Sequence, residues 1–186
     1  MGGEGAAENS SGELLSKAML LGRAMLKRSI LLVAIAILFA FQLVRGAAAV
    51  ELDAETRTVP LNDDGDTIVL SLEQITTGRR EFNTACASCH LAGVTRTNPN
   101  IDLSPEALEL ATPPLDNLAA LVDYIKDPTS YDGAFDISEV HPATKSSDIF
   151  PKMRNLSEDD LEAIAGHILL QPKVNSSRWA GGKAFY

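Results

Sequence analysis

Two thiols three residues apart with an imidazole directly after them, Cys86-Ala87-Ser88-Cys89-His90, constrain this chain more than any other feature. Covalent haem attachment requires that spacing: the thiols add to the two vinyl groups of the porphyrin, and the adjacent His90 turns under the ring to ligate iron. These are the only two cysteines among 186 residues, which excludes a disulfide framework. A thioredoxin-type redox pair wants a strand before it and a helix starting at the first cysteine, whereas these cysteines close a helical pattern. A zinc site needs two further ligands, and only His141 and His167 are left among the histidines to supply them.

The helical pattern is Gly78-x-x-x-Phe82-x-x-x-Cys86. Ser71 with Gln74 three residues on makes a capping box, and Leu72, Ile75, Phe82 and Cys86 then fall near one face. Gly78 lies one turn before Phe82, where the missing side chain lets another helix approach closely. A second helix opens at Ser157-Glu158-Asp159-Asp160, an N-cap serine followed by three carboxylates placed at the positive end of the helix dipole. Leu161, Ile164, Ala165 and Ile168 follow at helical spacing, Gly166 supplies another small contact, and Pro172 is expected to stop the helix. A glycine-bearing first helix, a haem pentapeptide and a late helix of this kind together resemble the class I cytochrome c fold, which is mainly α with its terminal helices crossing beside the haem.

The first 49 residues have a different character. Lys27 and Arg28 precede an apolar run from Ile30 to Phe41, continuing through Leu43 and Val44 to the small-residue site Ala47-Ala48-Ala49. This reads as a cleaved signal peptide over 25–49; the run is shorter than the roughly 20 residues a membrane span needs. Residues 1–24 are then an extension of unknown role or a misassigned start, and 50–186 form one domain. Residues 1–49 hold 5 of the 16 basic and 3 of the 25 acidic residues, leaving 11 against 22 and a net of 11 negative on the remainder. That balance excludes nucleic acid as a partner and favours basic protein surfaces. Aromatics are only 5% of the chain, and a haem would supply apolar surface that such a core lacks.

Between the two helices, Asn98-Pro99, Thr112-Pro113-Pro114, Asp127-Pro128 and Tyr131-Asp132-Gly133 are turn signals. Leu115, Leu118, Leu121, Val122 and Ile125 give a third helical stretch ending before Pro128. At the front, Thr58-Val59-Pro60-Leu61 and Thr67-Ile68-Val69-Leu70 flank Asn62-Asp63-Asp64-Gly65-Asp66 and predict a small β-hairpin. Three residues are candidates for a sixth iron ligand. His167 sits inside the late helix, where a packing role suits it; Met153 lies in the loop before that helix; His141 precedes Pro142, which stiffens its backbone towards the extended region. Residue chemistry leaves His141 and Met153 both open. The choice matters because a thioether ligand raises the reduction potential relative to a second imidazole.

Residues 51–186 resemble cytochrome c-550 of photosystem II. The blocks that carry the resemblance include Thr58-Val59-Pro60-Leu61-Asn62, Ala85-Cys86-Ala87-Ser88-Cys89-His90, Leu110-Ala111-Thr112-Pro113-Pro114, Glu139-Val140-His141-Pro142, Asp148-Ile149-Phe150-Pro151-Lys152-Met153-Arg154-Asn155-Leu156 and the tail Gly181-Gly182-Lys183 with Tyr186. The resemblance implies one covalently attached haem c on Cys86 and Cys89, with His90 and His141 as axial ligands and Met153 structural. It further implies a low-potential subunit, not an enzyme, peripheral to the lumenal side of the thylakoid membrane. There it would dock on photosystem II core subunits beside other extrinsic proteins and help retain calcium and chloride. Trp179, Lys183 and Tyr186 are the docking candidates that follow. The competing function is a diffusible electron carrier with His/Met ligation; a peroxidase-like enzyme would require an open iron position.

Overall fold

Ser71 starts the first long helix as its side chain suggests: Oγ accepts from the Gln74 amide at 3.0 Å, and the Gln74 side chain accepts from the Ser71 amide at 2.9 Å. The computed structural model describes residues 52–182; the signal peptide expected over 25–49, residues 1–24, Lys183 and Tyr186 lie outside them. A short helix α1 (Ala54–Arg57) is capped by Asp53, whose carboxylate accepts from the Thr56 amide at 2.7 Å. It leads into β1 (Thr58–Pro60), paired antiparallel with β2 (Thr67–Val69) in the register Thr58↔Val69, Val59↔Ile68, Pro60↔Thr67. The expected hairpin is therefore present. Asn62 shapes its turn by accepting through Oδ1 from the Asp64 and Asp66 amides, and Gly65 takes the left-handed φ of +85° that closes it. Val59 and Leu70 point from the hairpin into the core.

Helix α2 (Leu72–Glu81) follows, then α3 (Pro105–Glu109), α4 (Leu118–Lys126) and α5 (Glu158–Val174). Helices α2 and α5 pack against each other, and α4 packs on α5. Their crossing is possible because of Gly78, where a Cβ would fall 2.0 Å from the Ala163 carbonyl oxygen. Gly166 makes the same kind of room on α5 for the Leu70 side chain. Ser157 caps α5 through a box with Asp160, and Glu158 and Asp159 complete the acidic first turn. These features match the reading of the sequence.

Three local expectations are corrected. Pro172 does not stop α5, which runs on to Val174. A proline in the last turn forfeits only its own amide bond, and the Asn175 amide still reaches the Gln171 carbonyl at 2.8 Å to close the end. Helix α4 begins at Leu118 rather than near Leu115, because Asn117 leaves the helix to cap it, accepting from the Ala120 amide at 2.9 Å. Leu72, placed near one face with Ile75, Phe82 and Cys86, does not share the burial of Phe82 and is 56% exposed; it occupies the first turn, before the helix reaches its crossing. The described part is mainly helical with a two-stranded antiparallel sheet. No helix among the described residues is long and apolar enough to cross a membrane.

Candidate haem site

The end of α2 does not continue as an α-helix into the cysteines. Residues Phe82–Cys86 form a π-helical turn, with the Ala87 amide reaching back five residues to the Phe82 carbonyl at 2.9 Å. The wider turn carries Cys86 onto the wall of a cavity while Phe82 stays buried behind it. The Cys86 carbonyl then accepts from both the Cys89 amide at 3.1 Å and the His90 amide at 2.9 Å. This tight turn brings the second thiol and the imidazole to the same wall.

The cavity has a volume of about 1090 Å³, at the upper end of small-molecule sites, and its deep side is apolar, with Phe82, Leu108, Leu121, Ile125 and Ile164 among its walls. Cys86, Cys89, His90 and His141 all line it. Both thiols are free and half-buried. Burial, with the neighbouring Cys89 adding to it and Lys152 opposing, pushes the Cys86 thiol up to about 12. Nucleophilic redox cysteines need the opposite shift, so the thioredoxin reading finds no support in the geometry.

The two histidines approach from separate elements. His90 is oriented by Thr95, whose hydroxyl lies 3.1 Å from Nδ1, which turns the other ring nitrogen to coordination. His141 comes from the loop after α4, its amide bonded to the Ile137 carbonyl at 2.8 Å, and Tyr124 of α4 sets an edge-on ring against it at 5.3 Å between centroids. The ring centres of His90 and His141 are 6.0 Å apart. An imidazole nitrogen binds a transition metal at about 2 Å and lies about 1 Å from its own ring centre, so two imidazoles sharing one ion from opposite sides have centres roughly 6 Å apart. The pair therefore fits an iron between them. Burial, then the facing His141, lowers His90 to about 4; burial also lowers His141, partly offset by the Pro142 backbone. Both imidazoles are thus neutral near pH 7, the state a metal ligand needs. Nδ1 of His141 is buried without a hydrogen bond of good geometry.

Met153 also lines the cavity and is 2% exposed, but it is the His141 ring that stands opposite His90. His167 is a packing residue: it is buried beside Phe82 at 4.9 Å and Trp179 at 5.9 Å between ring centroids. Trp179 corrects its docking assignment. It is 4% exposed, its Nε1 donates to the Leu103 carbonyl at 2.8 Å, and its ring covers Gly93, so its surface is used inside the fold. Sequence reasoning missed Thr95 and Tyr124, which meet the histidines only through folding. It also missed the π turn, which leaves no mark in hydrophobic spacing.

Comparison with known proteins places these features in a family. Residues 50–186 match the model of the cytochrome c-550 domain. Photosystem II extrinsic protein V of a Cyanothece species is 60% identical over 163 residues, spanning 87% of this chain and all of that one. The protein of the same name from Porphyra purpurea is 62% identical over 138 residues, spanning 74% of this chain and 85% of that one. The crystal structure of a cytochrome c549 superimposes with a TM-score of 0.68 at 67% identity, covering 69% of this chain and 99% of the other. The PsbV2 cytochrome of Thermosynechococcus elongatus superimposes with a TM-score of 0.56 at 33% identity, covering 66% and 87%.

Proposed function

Since the chain belongs to the cytochrome c-550 family and so carries a covalently bound c-type haem, we propose that it is an extrinsic, lumenal subunit of photosystem II whose iron is held between His90 and His141. The observation that carries the ligand assignment is the 6.0 Å separation of the two ring centres across the cavity. Relatives named photosystem II extrinsic protein V, aligned over their whole length, support the assignment to that complex.

Cys86 and Cys89 hold the group by two thioether links, and the apolar walls formed by Leu108, Leu121 and Ile164 keep water from its face. The bound haem supplies a one-electron centre. Thr95 holds the His90 ring by its Nδ1, and Tyr124 with the Ile137 carbonyl holds His141. Two imidazoles leave the potential lower than a His/Met pair would and leave no open position for a substrate, so the role is that of a docked subunit, not a diffusing carrier or a peroxidase. The acidic surface of residues 50–186 would meet basic faces of the core and of other extrinsic proteins, and the docked subunit would help retain calcium and chloride.

Substituting His141→Met tests the ligand set: a sulfur-ligand absorption band and a raised potential are expected, and an unaltered spectrum and potential would remove His141 from the iron. Salt-washing photosynthetic membranes tests the docking. Release of the protein should lower oxygen evolution, restorable by re-adding the protein or by excess calcium and chloride; an undiminished oxygen yield after complete release refutes the assignment.

A further inference from the structure

The loop that carries His141 leaves helix α4 at Asp127 and returns beside it at Lys145. Its backbone is fastened at the return, where the Thr144 and Lys145 amides donate to the Ile125 and Lys126 carbonyls at 3.3 and 3.2 Å. Halfway round, the Ile137 amide reaches the Pro128 carbonyl at 3.0 Å, and Thr129 bridges to Asp136. One side chain ties all of this together. Lys145 Nζ donates to Asp127 Oδ1 at 2.7 Å, at the exit from α4, and to Asp136 Oδ2 at 2.6 Å, just before the turn whose Ile137 carbonyl accepts from the His141 amide. The ammonium also stands at the C-terminal end of α4, where the helix dipole favours a cation.

We propose that Lys145, bridging Asp127 and Asp136, is a positioning residue that clamps the His141 loop closed and so sets how often the sixth ligand leaves the iron. This rests on the reading of His141 as that ligand. Each ion pair alone is exposed and weak, but both share one ammonium and span the start, the middle and the return of the loop. Asp136 lies well below the usual carboxylate range and Lys145 above its usual value, each first through its side-chain hydrogen bonds, the directions pairing requires. Tyr131 anchors the first half of the loop to Ala107 and Thr112, whereas the second half, next to the ligand, is less covered, with Val140 79% exposed. Lys145 is the side chain that joins the exit of the loop at Asp127 to the segment at Asp136 that leads into the ligand turn.

The test uses the oxidised holoprotein and cyanide, which binds ferric iron only when the sixth ligand has left. Lys145→Gln should speed cyanide binding about three- to tenfold, Lys145→Arg should restore most of the wild-type rate, and added salt should speed the wild type while leaving Lys145→Gln unchanged. Amide hydrogen exchange at Ile137 and His141 should rise by the same factor, a reading that does not involve the iron. Equal cyanide and exchange rates in wild type and Lys145→Gln overturn the clamp. A wild-type protein that binds cyanide at once, or that shows a sulfur ligand, instead overturns the His141 assignment on which it rests. Ser71→Ala, a destabilising change at the start of α2, controls for general loosening: if it speeds cyanide binding as much as Lys145→Gln, the clamp is refuted.

Discussion

Gly78→Ala sets two well-measured effects against each other at the α2/α5 crossing. Helix propensity alone favours alanine by about 1 kcal/mol. Packing opposes it, because the new Cβ would lie 2.0 Å from the Ala163 carbonyl oxygen and 2.7 Å from its carbon. Backbone atoms cannot rotate aside, so the helices must part by roughly 1 Å, and overpacking of this kind costs about 1–3 kcal/mol or more. With the contact this short the upper figure applies, and the net expectation is a loss of about 2 kcal/mol. For a domain of this size that lowers Tm by about 6–10 °C. Thermal and denaturant unfolding of the holoprotein measure it. Pairing the change with Ala163→Gly should not restore stability, since the obstruction is a carbonyl and not a side chain. A Tm equal to or above that of the wild type would show that propensity wins and that the crossing is not a tight contact.

Acid should weaken the protein through His167. Burial, with Arg79 adding to it, lowers this imidazole from 6.5 to about 4 in the fold, so the unfolded chain binds the proton more tightly; stability is whole above pH 6.5 and falls by about 3 kcal/mol as pH drops to 4. Its share appears as the difference between the pH profiles of wild type and His167→Leu, and parallel profiles refute it. Trp179→Phe keeps most of the ring contact with Phe82 but strands the Leu103 carbonyl; a loss of about 1–3 kcal/mol in denaturant unfolding is expected, and an unchanged midpoint would show that the indole N–H contributes nothing.

What was legible in the sequence is what local chemistry decides. The capping box at Ser71, the N-cap at Ser157, the hairpin around Asn62 and Gly65, and the close approach at Gly78 each depend on residues a few positions apart or on one missing side chain. The pentapeptide marked the site for the same reason. The rest depends on distance in the chain being cancelled by folding. Trp179 was a docking candidate because nothing near it in sequence reveals that Gly93 and Leu103 receive it. Thr95 and Tyr124 are ordinary residues until they stand beside His90 and His141. Between His141 and Met153, residue types alone do not choose; both reach the cavity, and the proposal of His141 rests on the 6.0 Å between its ring centre and that of His90.

The seating of Trp179 over Gly93 ties the far end of the described chain to the segment just after the pentapeptide. A truncation ahead of Trp179 would therefore uncover Gly93 and free the Leu103 carbonyl, so damage at the C-terminal end is felt three residues from His90.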